Sequence, residues 1–299
     1  MLIVDSHVHI WQLDQPRMEW LTADETLHRL HRDVLVEDLQ AQLDANDVPF
    51  AVLVQAATDS RETATLLRLA DHTPSVLGVV GWAPMTSEAA TRQALDGWPE
   101  PSLLCGIRHL HGWQPDGSVL ADGGALDSAG VLAERGLVLD VHMSDPAVAG
   151  EVVRIATAFP TLSIVVNHLA HPQLLEPSRC GEWRAAIDVM AEHPRVVVKC
   201  SGWATRLPSP DPALVRPYVE HVVRAFGPRR IMVASNWPVA TASGATYAQT
   251  LRATLDALAL SGENLRQVLS GTAARVYGLD LPPGDDGVTR DAARPPRSG

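Results

Sequence analysis

The sequence predicts an α/β chain folded as a single (β/α)8 TIM barrel, and three observations predict it. Eight short apolar runs recur along the 299 residues, stretches with helical periodicity separate most of them, and polar side chains gather where the runs end. Short, continuously apolar, β-branched runs are what strands buried on both faces require, as in a parallel sheet covered by helices. Eight of them alternating with helices close into a barrel better than they form an open sheet, and the chain length suits one such domain.

Taken in order, the strands are expected at Leu2–Val4, Phe50–Val54, Val76–Val80, Leu104–Ile107, Val138–Val141, Ser163–Val166, Val196–Val198 and Ile231–Val233. Helical spacing of apolar residues places helices at Val36–Ala45, Glu62–Asp71, Leu126–Arg135, Ala147–Ala158, Glu182–Glu192, Pro212–Phe226 and Thr246–Leu260, with a last helix over Glu263–Tyr277 that closes the barrel. Two connections break the regularity. Trp11–Asp33 is a long segment after the first strand, rich in Trp, Met, Asp and His, and long loops in compact domains usually carry function, so it is expected to lie across the barrel mouth as a lid. Leu110–Gly124, with His111, Trp113 and several glycines, is expected to do the same. Residues 1–281 thus form one domain, and 282–299, rich in Pro, Gly, Asp and Arg, read as a disordered tail.

Composition excludes several partners. A net charge of −11 repels a phosphate backbone, and the basic residues form no run, so nucleic acid is not an expected partner. The chain shows neither a basic, then apolar leader nor a long apolar run of membrane-spanning length, which points to a soluble cytoplasmic protein, with self-association left open. Cys105, Cys180 and Cys200 are widely spaced and odd in number, and read as reduced, packed thiols. Lys199 is the single lysine among 24 basic residues, which makes its position at the end of three valines conspicuous.

In a barrel of this kind chemistry sits at the carboxyl ends of the strands, where the following loops converge. There the sequence puts Asp5, His7 and His9 on strand one, Gln55 on two, Trp82 on three, Arg108 and His109 on four, His142 on five, Asn167 and His168 on six, Lys199 on seven, and Asn236 with Trp237 on eight. A single histidine after a strand is usually structural; His7, His9, His109, His142 and His168 on one rim are not. His7 and His9 stand two apart, so on a strand both imidazoles aim the same way and can share a divalent cation. His142 and His168 add nitrogen ligands from across the barrel, a set suited to Zn2+ as Lewis acid. Arg108 offers a fork for a carboxylate, with a salt bridge to Asp140 as the alternative. Trp82, Trp237, Trp203 and Trp11 either wall the mouth for a ring-shaped ligand or pack in the core.

The motifs VDSHVHIW at 4–11, RMEWL at 17–21, GIRH at 106–109, VVNHLAHP at 165–172, VVVKCSGW at 196–203, ASNWPV at 234–239 and AARVYGL at 273–279 together resemble the amidohydrolase superfamily, in its amidohydrolase-2 group. The similarity runs from first strand to last helix and is nearest the branch that hydrolyses sugar lactones and 2-pyrone-4,6-dicarboxylate. It implies an amidohydrolase-type barrel in which His7 and His9 are the first-strand pair, His142 and His168 the fifth- and sixth-strand histidines, Arg108 the contact to a substrate carboxylate or carbonyl, and Lys199 the seventh-strand lysine. Branch members act with or without a metal, so the pair does not by itself prove a cation. The chain departs from the family at strand eight, where the usual GSDWP reads ASNWP: the aspartate that deprotonates water is Asn236.

The expected activity is hydrolysis of a small lactone or related cyclic ester. Arg108 and His109 orient the substrate together with Gln55, Trp82, Lys199 and Trp237; His7, His9 and His168 polarise its carbonyl directly or through a cation; and position 236 handles the water, with His168 as a replacement base. An amide cannot take a proton as a carboxylate does. Three accounts of Asn236 therefore stand: an engineered or inactivated site, a catalyst using another base, or a barrel that has become a decarboxylase, isomerase, cyclase or silent binding protein.

Overall fold

The structure is a computed structural model that describes residues 1–112, 114, 120, 122–172, 174, 177–205, 207 and 209–282. Eight parallel strands form one sheet in sequential order: β1 Val4–Val8, β2 Phe50–Val54, β3 Val76–Gly81, β4 Leu104–Leu110, β5 Val138–His142, β6 Ile164–Val166, β7 Val196–Cys200 and β8 Ile231–Val233. The ends meet where His9 N–H donates to the Trp237 carbonyl (2.8 Å) and Asn236 N–H donates to that of His7 (3.0 Å). The helices α1 Val36–Ala45, α2 Ser60–Asp71, α3 Glu88–Asp96, α4 Gly123–Glu134, α5 Ala149–Ala158, α6 Cys180–Ala191, α7 Pro212–Phe226 and α8 Tyr247–Leu258 alternate with the strands and cover the sheet.

Two apolar layers result. The inner one fills the barrel with Val4, Val52, Val54, Val80, Cys105, Val138, Val165, Val197 and Met232, and the closing segment of the chain plugs its amino-terminal end with Ala273, Tyr277 and Leu279. The outer one, between strands and helices, holds residues of the opposite parity such as Leu53, Val79, Ile107, Leu139, Val141 and Val166. Gly106 faces Val138 across the β4–β5 ladder, where an added Cβ would lie 2.8 Å from the Val138 carbonyl oxygen.

Two features differ from the reading above. The helix α3 falls between β3 and β4, where no period was expected: Ala and Thr supply most of its weakly apolar face, and its Ser87 cap, which accepts from Ala90 N–H (3.2 Å), is what starts it. Strands β1, β4, β5 and β7 run past the apolar runs into their polar ends, because nearly all of those side chains are buried rather than turned to solvent. The tail beyond Pro282 and residues 113, 115–119 and 121 of the expected second lid lie outside the described residues.

The segment Trp11–Asp33 does lie against the mouth. It is pinned by an antiparallel bridge between Trp11 and Val34, by buried Met18, Leu21 and Leu30, and by an edge-on Trp11–Trp20 contact at 5.5 Å. Gln15 Nε2 donates to Glu62 Oε1 on α2 (3.1 Å), and Glu62 also accepts the N–H groups of Ala56 and Ala57 at the end of β2. One carboxylate thereby ties the lid to the rim.

Candidate active site

A slip in the β1 register between Asp5 and Val8 sets the site's geometry. Strict alternation would put Val4, Ser6 and Val8 on one face; instead Val4 is in the inner layer and Val8 in the outer, so His7 and His9 turn inward. Asp5 is left pointing out, where it accepts from Ser235 N–H (2.9 Å) and the Tyr247 hydroxyl (2.9 Å). The Nε2 atoms of His7 and His9 lie 3.1 Å apart, and His9 Nε2 is 3.3 Å from Asn236 Oδ1. Asn236 has φ 59°, a left-handed conformation that Asn and Asp tolerate best among residues with a side chain, so backbone as well as chemistry restricts this position.

Beneath these rings runs a buried polar chain. Lys199, wholly buried, donates to Asp140 Oδ2 (2.7 Å) and faces His7 Nδ1 (3.4 Å). Asp140 also accepts from Asn167 Nδ2 (3.0 Å) and, through Oδ1, from the Tyr277 hydroxyl (2.7 Å). Asn167 Oδ1 in turn accepts from Arg108 Nε (2.9 Å). The single lysine is thus an inward amine, and Arg108 reaches Asp140 through Asn167 rather than by a direct salt bridge. Burial lowers Lys199 from its ordinary value against the opposing pull of Asp140, and lowers Arg108 to about 10.

His168 stands between two histidine groups. Its ring is 4.6 Å from that of His7, 6.0 Å from that of His142 and 5.1 Å from that of His171, and His142 Nδ1 is 3.2 Å from His171 Nε2. His168 thus links the two sides of the mouth: His7 and His9 pair beside Asn236, and His142 lies by His171, which sequence spacing did not single out. The reason is local backbone. His168, Leu169, Ala170 and His171 have φ of 57°, 54°, 56° and 48°, four consecutive non-glycine residues in the left-handed region, and this turn brings positions three apart side by side. The Leu169 carbonyl accepts from buried Trp183 Nε1 (2.8 Å), which fixes the turn. Gly202 makes room for it, since a Cβ there would lie 2.5 Å from His168 Cγ. His168 Nδ1 pairs with Ser201 Oγ (2.9 Å) and Nε2 faces Arg108 Nη2 at 3.5 Å.

Burial is the largest cause that lowers His7, His168 and His142 well below the ordinary histidine value and His9 to about 3, and the charge of Arg108 adds to it in each. All four are neutral imidazoles at neutral pH.

Gln55 and Trp82 also stand at the rim. Both carboxamide atoms of Gln55 are buried with no partner among the described residues, and its carbonyl accepts from Arg108 Nη1 at 3.5 Å. Trp82, largely buried, donates from Nε1 to Gln114 (3.0 Å). Other residues named from sequence fall elsewhere. Arg108 and His109 are adjacent in β4, and His109 pairs in register with Val141 of the outer layer, so it faces away from the mouth. Trp237, Trp203 and Trp11 pack in the outer layer, with Trp203 Nε1 donating to Thr254. Lys199 lies under the mouth, in contact with Asp140 and His7.

A family model for amidohydrolases matches residues 4–279. An L-fucono-1,5-lactonase of Burkholderia ambifaria is 29% identical over 288 residues, covering 94% of this chain and 97% of that protein. An amidohydrolase of Burkholderia multivorans, crystallised with bound zinc, superposes with a TM-score of 0.83 at 28% identity over 94% of this chain and all of its own. A 5-carboxyvanillate decarboxylase of Sphingomonas paucimobilis shares the fold alone, with a TM-score of 0.63 at 16% identity over 93% and 99% of the two chains.

Proposed function

This chain belongs to the amidohydrolase family, and we propose that within it the protein is a hydrolase that opens a small sugar lactone of the L-fucono-1,5-lactone class. The observation that carries the reading is the pairing of a buried guanidinium, Arg108, with neutral imidazoles around a single mouth. An ester carbonyl needs an electrophile on its oxygen and a base on the attacking water. Arg108 and the His168 side of the cluster face the carbonyl, and the Gln55 carboxamide and Trp82 ring receive the hydroxylated ring beside it.

The attacking water is held beside both Asn236 and His9. His9 Nδ1 lies 2.8 Å from the Val54 carbonyl, which can only accept, so its proton is on Nδ1 and its lone pair on Nε2. The Asn236 amide, 3.3 Å away, orients the water, and His9 Nε2, exchanging its 3.1 Å contact with His7 Nε2 for the water, takes its proton as oxygen attacks the carbonyl carbon. The ring C–O bond then breaks, and the leaving alkoxide takes that proton from the His9 imidazolium to give the open hydroxy acid and restore the neutral ring. His9 rather than His168 is the base best placed beside Asn236, since His168 is held by Ser201 and Arg108.

The family relationship and the zinc in the B. multivorans structure raise the question of a divalent cation, and imidazole nitrogen is the donor type that zinc takes. Nitrogens of His142, His168 and His171 lie within 4.8 Å of one another, a fit for one ion with an open position. Bound there, a cation would supply Lewis-acid polarisation of the carbonyl.

The experiment is acid release from L-fucono-1,5-lactone and a panel of sugar lactones by the protein and by its Asn236→Asp form. Turnover above buffer is expected for both, with the Asp form faster by roughly 10²-fold, since positioned carboxylates contribute on that order or more. If neither opens any lactone, the hydrolytic reading falls. The amide at 236 favours one second reading, a non-hydrolytic enzyme on the same barrel, which release of CO2 or a product of unchanged mass would identify.

A further inference from the structure

We propose that Glu62 is a positioning residue that couples closure of the Trp11–Asp33 lid to the end of β2, and through β2 to His9. The coupling rests on the lactonase reading only in its kinetic readout; the other two readouts need no turnover, so that either can fail alone.

The lid is a loop closed at its neck. Trp11 N–H donates to the Val34 carbonyl (2.8 Å), Val34 N–H donates back to that of Trp11 (2.9 Å), and Trp11 Nε1 donates to the Arg32 carbonyl (2.8 Å). A loop pinned at both ends moves as a flap about them. Entry to the mouth needs such a movement, since Gln55, His9, Asn236 and Arg108 are at most 6% exposed. From inside the loop, Gln15 Nε2 donates to Glu62 Oε1 (3.1 Å), which latches the flap to the first turn of α2.

The same carboxyl holds the chain where it leaves the sheet. Gln55 N–H still finds the Val80 carbonyl (2.9 Å), but β3 ends at Gly81. The next two N–H groups go to Glu62 instead, Ala56 at 3.0 and 3.2 Å from its two oxygens and Ala57 at 2.8 Å from Oε2. Just before this hold stand the two β2 carbonyls that meet the mouth. Val54 accepts from His9 Nδ1 (2.8 Å), the contact that leaves the His9 lone pair on Nε2, and Gln55 accepts from Arg108 Nη1 (3.5 Å). Moving Glu62 therefore moves the carbonyl that sets the His9 tautomer. Glu62 is buried with no cation in contact among the described residues, so N–H donors alone offset its burial. A carboxyl held there at that cost joins three segments, the lid, the end of β2 and α2, by hydrogen bonds that an apolar side chain cannot make.

The test uses the full-length chain and three variants. Gln15→Ala cuts the lid arm alone and Glu62→Ala cuts both arms. Glu62→Gln keeps both, because its amide oxygen accepts from Ala56 and Ala57 and its amide nitrogen donates to a reversed Gln15. Lid opening is read as the rate of tryptic cleavage after the exposed Arg17, Arg29 and Arg32, identified by mass. Cleavage should rise about three- to tenfold in Gln15→Ala and Glu62→Ala, as the loss of one hydrogen bond shifts the open population. The His9 tautomer is read from ring 15N shifts: its proton should sit on Nδ1 in the native chain and in Gln15→Ala, and be shared between both nitrogens in Glu62→Ala. With L-fucono-1,5-lactone, Gln15→Ala should raise KM about threefold with kcat kept, whereas Glu62→Ala should lower kcat about 10- to 100-fold, the scale of a catalytic group misplaced by about 1 Å. Glu62→Gln should bring each readout back to within about threefold of native. A native His9 without its proton on Nδ1, or a Glu62→Ala protein that keeps the native tautomer and kcat, overturns the proposal, however far its melting temperature falls. Unchanged cleavage in Gln15→Ala, or a Glu62→Gln protein that restores nothing, overturns it as well, and both can be measured even if Glu62→Ala does not fold.

Discussion

Single side chains hold this site by leaving few alternatives open to their neighbours. Removing Lys199 leaves Asp140 as a buried carboxylate with hydrogen bonds but no cation in contact, and such a loss typically costs about 3–5 kcal/mol. Lys199→Met should therefore lower the urea midpoint sharply, and adding Asp140→Asn should restore part of it; equal midpoints for the native chain and Lys199→Met would remove the charge pair from the account. Gly202→Ala places a Cβ 2.5 Å from the His168 ring at φ 68°, which overpacking and strain together make destabilising by about 1–3 kcal/mol. Its melting temperature and lactone turnover should fall together, because the residue pushed aside is His168. Much at this scale was legible in the sequence: His7, His9, Arg108, His142, His168, Lys199 and Asn236 all converge. His171 was not, because only a left-handed turn makes it a neighbour of His168, and nothing in Leu169 and Ala170 announces positive φ. His109 was misplaced for the opposite reason: strand alternation excludes it once Arg108 is known to face inward.

Among elements, the lid and its anchor carry a pH dependence. Burial is the main cause that raises Glu62 from 4.5 to about 8, against the N–H groups that favour its charged form. A carboxyl raised in the folded state binds its proton more tightly there than in the unfolded chain, so its stabilising contribution is full below about 4.5 and is lost as pH rises through about 8. Denaturant stability should decline between those values, and Glu62→Gln, with Gln15 reversing its amide, should flatten the curve. A Glu62→Gln curve parallel to the native one would assign the dependence elsewhere. Strand order and most helix positions were readable from apolar runs because parallel strands are buried on both faces. The inward turn of β1 was not, since its register slip depends on how Asp5 meets Ser235 and Tyr247, partners more than two hundred positions away.

For the molecule as a whole, both ends of the barrel contribute to one network. Tyr277 enters from the closed amino-terminal end and donates to Asp140, which also receives Lys199 and Asn167 below the open end. Tyr277→Phe should cost about 0.5–1.5 kcal/mol of stability, the net worth of one such hydrogen bond, and should alter lactone kcat more than KM, because the residue does not touch the mouth. An altered KM with kcat preserved would deny that coupling. The same arrangement orders events in time. A ribosome adding about 5–20 residues per second delivers β1 long before β8, which must close the sheet against it, and Tyr277 later still. Until that last tenth of the chain emerges, His7, Lys199 and Asp140 have been made but stand in an open cylinder with its floor missing. A nascent chain therefore gains its site late and all at once, which spares the cell a half-built barrel that is already reactive.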